Sequence, residues 1–135
     1  MASALLAHEV AVMVAIETAW GSRSPIAWPA SEFTPPADGG AWLAVDMLWG
    51  DASPLTMGLT GTGKSQVAGL LQLTLYAPRG AGRGAIPWDV ARDIFNRALV
   101  SGVQFGPASG PMAGDGAGAW ESVIVRFPFI IEDTL

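Results

Sequence analysis

Gly58-Leu59-Thr60-Gly61-Thr62-Gly63-Lys64-Ser65 runs into Gln66-Val67-Ala68-Gly69-Leu70-Leu71-Gln72-Leu73-Thr74-Leu75-Tyr76, and the reading of this stretch decides the fold. Its first eight residues match the phosphate-loop pattern G-x-x-x-x-G-K-[ST]. In such a loop backbone N–H groups cradle phosphates, the lysine reaches the β and γ oxygens, and the hydroxyl holds Mg²⁺. That chemistry needs a buried strand entering the loop and a helix leaving it, its positive end aimed at the phosphates. The flanks here predict neither. Asp51-Ala52-Ser53-Pro54 interrupts a strand before the loop, leaving only Leu55-Thr56-Met57 ahead of Gly58. After the loop, Val67, Gly69, Leu71, Leu73 and Leu75 alternate with Ala68, Leu70, Gln72, Thr74 and Tyr76, the period of a half-buried strand. A helical face through Val67, Leu70, Leu71 and Leu75 competes with that reading. Against it, Gly69 costs a helix interior about 1 kcal/mol relative to alanine, and Leu73-Thr74-Leu75-Tyr76-Ala77-Pro78 has strand character. The glycines and threonines of 58–63 are then the turn of a hairpin.

Working outward, residues 41–49 form the partner strand, with Leu43, Val45, Met47 and Trp49 on one face and Trp42, Ala44, Asp46 and Leu48 on the other. Upstream lies a connector, residues 22–40, with Pro25, Pro29, Pro35, Pro36, Gly39 and Gly40. It is too proline-rich for a helix or a sheet interior. Ile26, Trp28 and Phe33 nevertheless predict that it packs on the body. Before it, Ser3 caps a helix over residues 4–20 and Gly21 stops it. Leu5, Val12, Ile16 and Trp20 lie on one stripe, with Leu6, Val10, Met13 and Val14 beside it. A helix apolar on most sides is buried on more than one, and a neighbouring subunit is one way to supply the second side.

Downstream, the glycine-rich turn 78–84 leads to a helix opened by Pro87. Trp88, Ala91, Phe95, Ala98 and Leu99 recur at helical spacing, Val90 and Ile94 widen the stripe, and Gly102 ends it. Asp89–Arg92 and Asp93–Arg97 read as solvated surface pairs. Val103–Phe105 is a short strand. Residues 106–118 hold five glycines and two prolines, which predicts a loop. Residues 120–131 are a strand in which Val123, Val125, Phe127, Phe129 and Ile131 alternate with Ile124, Arg126, Pro128 and Ile130. Pro128 cannot donate to a ladder, so the strand is expected at an edge or with a bulge there. The expected fold is one α+β domain over residues 1–135. It is a mainly antiparallel sheet of about four to five strands with two helices packed on it. A nucleotide-binding α/β fold would alternate strand and helix and place an acid after a second buried strand. Glu132-Asp133, behind Pro128, is a poor candidate for that role.

Composition narrows the functional classes. Charged residues make up 14% of the chain, against about 25% in ordinary soluble domains, so apolar surface is expected to be buried against partners. The six tryptophans fit interface anchors and core fillers equally. With seven basic residues, twelve acidic ones and a net charge of −5, there is no basic patch for nucleic acid. The absence of cysteine and the single histidine, His8, leave thiolate and histidine metal sites and a catalytic dyad without parts. No catalytic residue, cofactor or metal is expected. The N-terminus lacks a basic export region, and its uncharged run 10–16 is shorter than the ~20 residues of a membrane span. A cytosolic protein is expected.

The ordered set of segments resembles the tail terminator (tail completion) proteins of long-tailed phages and phage-like gene transfer agents. The resemblance rests on the apolar first helix and on Trp28-Pro29-Ala30-Ser31-Glu32-Phe33-Thr34-Pro35-Pro36 before Ala41-Trp42-Leu43-Ala44-Val45. It continues through Gly69-Leu70-Leu71-Gln72-Leu73-Thr74-Leu75-Tyr76-Ala77-Pro78, the turn 79–84, Gly102-Val103-Gln104-Phe105, and Trp120-Glu121-Ser122-Val123-Ile124-Val125-Arg126-Phe127-Pro128-Phe129. It covers nearly the whole chain from Trp28 onward. The resemblance implies a structural virion protein and not an enzyme. Such a protein is a hexameric ring that caps the tail tube, ends its polymerisation and docks the head connector or stopper protein at the tail–neck junction, after assembly in the host cytoplasm. DNA would pass through the ring without specific binding, as an acidic chain suits; no membrane partner is implied. Subunit and tube contacts are expected at the exposed turns and the glycine loop: Met57, Lys64, Arg79, Arg83, Trp88 and Met112. Two alternatives stand beside this reading: another head–tail neck adaptor or stopper, and a small nucleotide-binding protein using residues 58–65.

Overall fold

The first helix, α1, spans Leu5–Trp20. It ends where Gly21, at φ 63°, donates its N–H to the Glu17 carbonyl at 3.0 Å, a left-handed C-terminal cap. In the computed structural model the described residues are 5–21, 24–29, 33–34, 40–54, 64–80, 88–96, 99–100, 102–114, 116, 118 and 120–134. The Ser3 cap and the segment 55–63 therefore lie outside them.

Among the described residues, seven strands form one sheet: β1 (Ile26–Ala27), β2 (Trp42–Pro54), β3 (Lys64–Pro78), β4 (Leu99–Val100), β5 (Val103–Phe105), β6 (Ser109–Ala113) and β7 (Trp120–Thr134). The second helix, α2, is Trp88–Ile94. The strand order is β1-β2-β3-β7-β5-β4, with β6 also on β7, and every pairing is antiparallel except β1 with β2. The α+β architecture matches the sequence expectation, with more strands than the four or five read there.

The hairpin reading holds. β2 and β3 are antiparallel in a register that runs from Trp42↔Tyr76 to Pro54↔Ser65, and β3 runs beside β7 along its full length. Val12, Ile16 and Trp20 of α1 and Ala91 beside Phe95 at the end of α2 join one buried cluster with Leu43, Val45, Leu71, Leu73, Leu75, Val125, Phe127 and Phe129. Both helices therefore cover the same face, the one carrying the odd-numbered residues of β2, β3 and β7. Phe95 stacks on Phe105 with centroids 4.5 Å apart and meets Phe127 edge-on at 5.8 Å, an offset-and-edge arrangement that favours aromatic pairs.

Five expectations are corrected. Asp51-Ala52-Ser53-Pro54 does not break the strand: β2 absorbs it through a register shift between Trp49 and Ala52, a bulge that relaxes the demands of the ladder. The connector is not free of sheet, because Ile26 and Ala27 pair with Leu43 and Ala44; it is packed, as read, with Ile26 and Trp28 against the core. The second helix is shorter than its apolar spacing indicates. Asn96 accepts the Ala108 N–H at 3.0 Å, and Leu99 and Val100 are taken into a hairpin turned by Gly102 at φ 84°, so Gly102 serves a β-turn and not a helix stop.

The glycine-rich segment 106–118 holds a strand, β6, bulged between Ser109 and Met112; glycine and proline are tolerated in such an irregular edge. Finally, β7 is internal and unbulged against β3. Pro128 is accommodated because its polar groups face the side where β5 gives way to β6. There its carbonyl accepts the Gly106 N–H at 2.8 Å, and the missing donor falls at the break between the two neighbours.

Candidate interaction surfaces

Among the described residues no helix lies over the other face of the sheet. Cross-strand partners share a face, so the register sorts the even-numbered residues into rows. At one end are Trp42, Tyr76 and Ser122, with Trp120 beyond. Trp42 stacks on Tyr76 at 4.0 Å, meets Trp120 edge-on at 6.1 Å and carries Phe33 of the connector at 4.9 Å. This end is closed by its own aromatic cluster, in which the Trp42 Nε1–H is buried without a hydrogen-bond partner among the described residues.

The middle row is polar: Asp46, Gln72 and Arg126. Arg126 donates from Nε to Gln72 Oε1 at 3.0 Å, and the Gln72 amide nitrogen donates to Thr74 Oγ1 at 3.5 Å. The next row is apolar and open: Leu48, Leu70 and Pro128, followed by Ala68 and Ile130. Leu48 is 51% exposed and Leu70 37%. A groove of about 250 Å³ runs beside them, lined by Ala68, Gln104, Gly106, Pro128 and Ile130 among others.

On the opposite layer, α1 leaves a second apolar stripe uncovered. Val10 is 52% and Val14 57% exposed, four residues apart and so on one side of the helix. A groove of about 330 Å³ next to them is lined by Glu9, Val10, Met13, Trp28 and Pro29.

Of the residues expected at contacts, Met57 and Arg83 lie outside the described residues. Lys64 opens β3 and Trp88 opens α2, their side chains outside the description. Arg79 is exposed after β3, and its Nε donates to the Gly118 carbonyl at 2.7 Å, tying that turn to the segment before β7. Met112 is half-buried on β6 opposite Ile124. Exposed apolar side chains outside that set are Leu48, Leu70, Ile130, Val10 and Val14. Their signal was in the sequence, as apolar residues on the face of β2, β3 and β7 opposite the core and on most sides of α1.

The phosphate-loop letters end in a strand. Lys64 and Ser65 are the first residues of β3, paired with Thr134 and Asp133, where nucleotide chemistry needs them to open a helix. Among the described residues no cluster of His, Cys, Asp or Glu could hold a metal ion, and no helix is long and apolar enough to cross a membrane.

An α+β domain whose described residues leave one sheet face without a helix and apolar side chains exposed on both layers has the form of an assembly subunit. A family model described as phage tail terminator protein matches residues 6–96. The chain belongs to that family, and its role is structural, in the phage tail. No curated protein matches the chain.

Proposed function

We infer that the protein closes into a hexameric ring on the last ring of the tail tube, stops tube growth, and presents its other side to the head connector or stopper. The observation that carries this reading is the family match over residues 6–96. Uncovered apolar surface on two opposite layers supports it, because a chain with two different sticky patches assembles head-to-tail, and such a contact ends in a closed ring when its rotation closes. The acidic balance of the chain, −5, suits a passage through which DNA slides without binding. Partners on this reading are copies of the chain, the tail tube protein and the head connector, at the tail–neck junction of a particle assembled in the host cytoplasm. The contribution of Met57, Lys64, Arg79, Arg83, Trp88 and Met112 to tube or subunit contacts belongs to the same proposal. No catalytic step is assigned.

The test is a tube-growth assay. Purified tail tube protein is polymerised with and without the protein, and tube length is measured by electron microscopy. Growth arrested at one end in proportion to added protein is the expected result. Tubes of unchanged length with bare ends would overturn the proposal.

A further inference from the structure

Two apolar patches are exposed among the described residues, Val10 and Val14 on α1 and Leu48 and Leu70 on the sheet. We propose that the Val10–Val14 stripe of α1 in one subunit packs on the Leu48–Leu70–Pro128 row of the open sheet face in the next. The contact rests on the ring reading above and names the surfaces that make it.

Three observations lead there. First, α1 is apolar on most sides, with Val12, Ile16 and Trp20 spent on its own sheet and Val10 and Val14 left outside. A helix of that kind is stable when both sides are covered. The open face of a neighbour's sheet would supply the second side and place α1 between two sheets.

Second, the shapes correspond. The valines stand beside the groove at Glu9, Met13, Trp28 and Pro29, and the leucine row stands beside the groove at Ala68, Pro128 and Ile130. Each patch therefore offers a ridge next to a hollow.

Third, the charges correspond. Glu17 is exposed three residues after Val14 on the same side of α1. Arg126 lies one row from Pro128 on the sheet. Helix rise separates Val14 from Glu17 by about 4.5 Å, and one row step on a strand is roughly 6.8 Å, a difference that these two long side chains span. Asp46 occupies the far end of Arg126's row, which directs Glu17 toward the β7 side. An isologous pairing would set valine stripe on valine stripe with two Glu17 carboxylates facing and leave the sheet row bare. The head-to-tail contact covers both patches.

The chain has no cysteine, so thiols can be placed at will. Val14→Cys and Leu70→Cys are made singly, both at exposed positions, and their folding is checked by circular dichroism. Each variant and an equal mixture are treated with a short bis-maleimide, free and on tail tubes, with ring formation followed by electron microscopy.

A linked dimer in the mixture and in neither variant alone is expected, and the chain carrying both substitutions should give a ladder ending at the ring size. Rings without the mixed product, or linkage within a single variant, would overturn this contact and leave the ring reading standing. No ring on or off tubes would overturn both. Glu17→Arg and Arg126→Glu should each lower the yield of mixed product several-fold, and the pair together should restore it. Failure to restore it would remove the charge pairing from the contact.

Discussion

Leu70 and Leu71 are adjacent residues of one strand with the same side chain, yet one is 37% exposed and the other fully buried. They represent the two faces of the sheet. The inner face is apolar through its middle, from Leu71 to Ala77 on β3 and from Val123 to Ile131 on β7, and sits under α1 and α2. The outer face is banded into a self-covered aromatic end, a hydrogen-bonded polar row and a bare apolar row. The difference teaches that apolar character in these strands serves two purposes. On the inner face it drives folding; in one band of the outer face it is left over after folding is complete.

Leu71→Ala is expected to have the largest effect, a loss of about 2–5 kcal/mol from cavity formation and lost burial, read as a shift of the denaturant midpoint at constant slope. A loss under about 1 kcal/mol would mean that the inner face is not the core.

Gly69→Ala comes next. An added Cβ would meet the Leu48 carbonyl oxygen, and the Phe129 Cζ at 2.6 Å, where Trp49 already abuts the Phe129 ring edge-on at 5.2 Å. A cost of about 1–3 kcal/mol is expected from overpacking, measured by thermal melts. A neutral result would show that the strand relaxes there.

Leu70→Ser should leave the isolated subunit's stability within about 0.5 kcal/mol, as for most exposed substitutions, while weakening assembly. Unfolding of the subunit would put Leu70 in the core and dissolve the distinction between faces. Smallest of all is Lys64→Ala: subunit stability should be unchanged and the variant should still cap tubes, as one contact among several, and isothermal titration should find no Mg-ATP binding before or after the substitution. Binding that disappears with the lysine would revive the phosphate-loop reading.

Much of this was legible in the sequence. Alternation over residues 67–76 and 120–131 showed two long strands and which of their residues share a face, because burial of one face imposes a period of two. The same pattern, with Lys64-Ser65 running straight into it, set aside the phosphate loop.

What escaped was set by tertiary partners. Leu99 has helical spacing from Phe95, but pairing with Gln104 claims it for β4. Pro54 is carried in β2 because Ser65 lies opposite it. Pro128 is carried in an internal strand because β5 stops beside it. The exposed apolar band escaped for a different reason. Loop residues such as Arg79 drew attention as exposed, whereas Leu48 and Leu70 were placed on the second strand face with nothing to say which face the helices cover; both described helices pack on the other one.

The central claim is that this chain is a ring-forming terminator. Its most direct test is the mass of the purified protein by light scattering, with negative-stain imaging of the same sample and of tail tubes incubated with it. A particle of six 14.0 kDa chains with a central hole, seen free or seated on tube ends, is the predicted result. A monomer that leaves tube ends bare and binds Mg-ATP would contradict it.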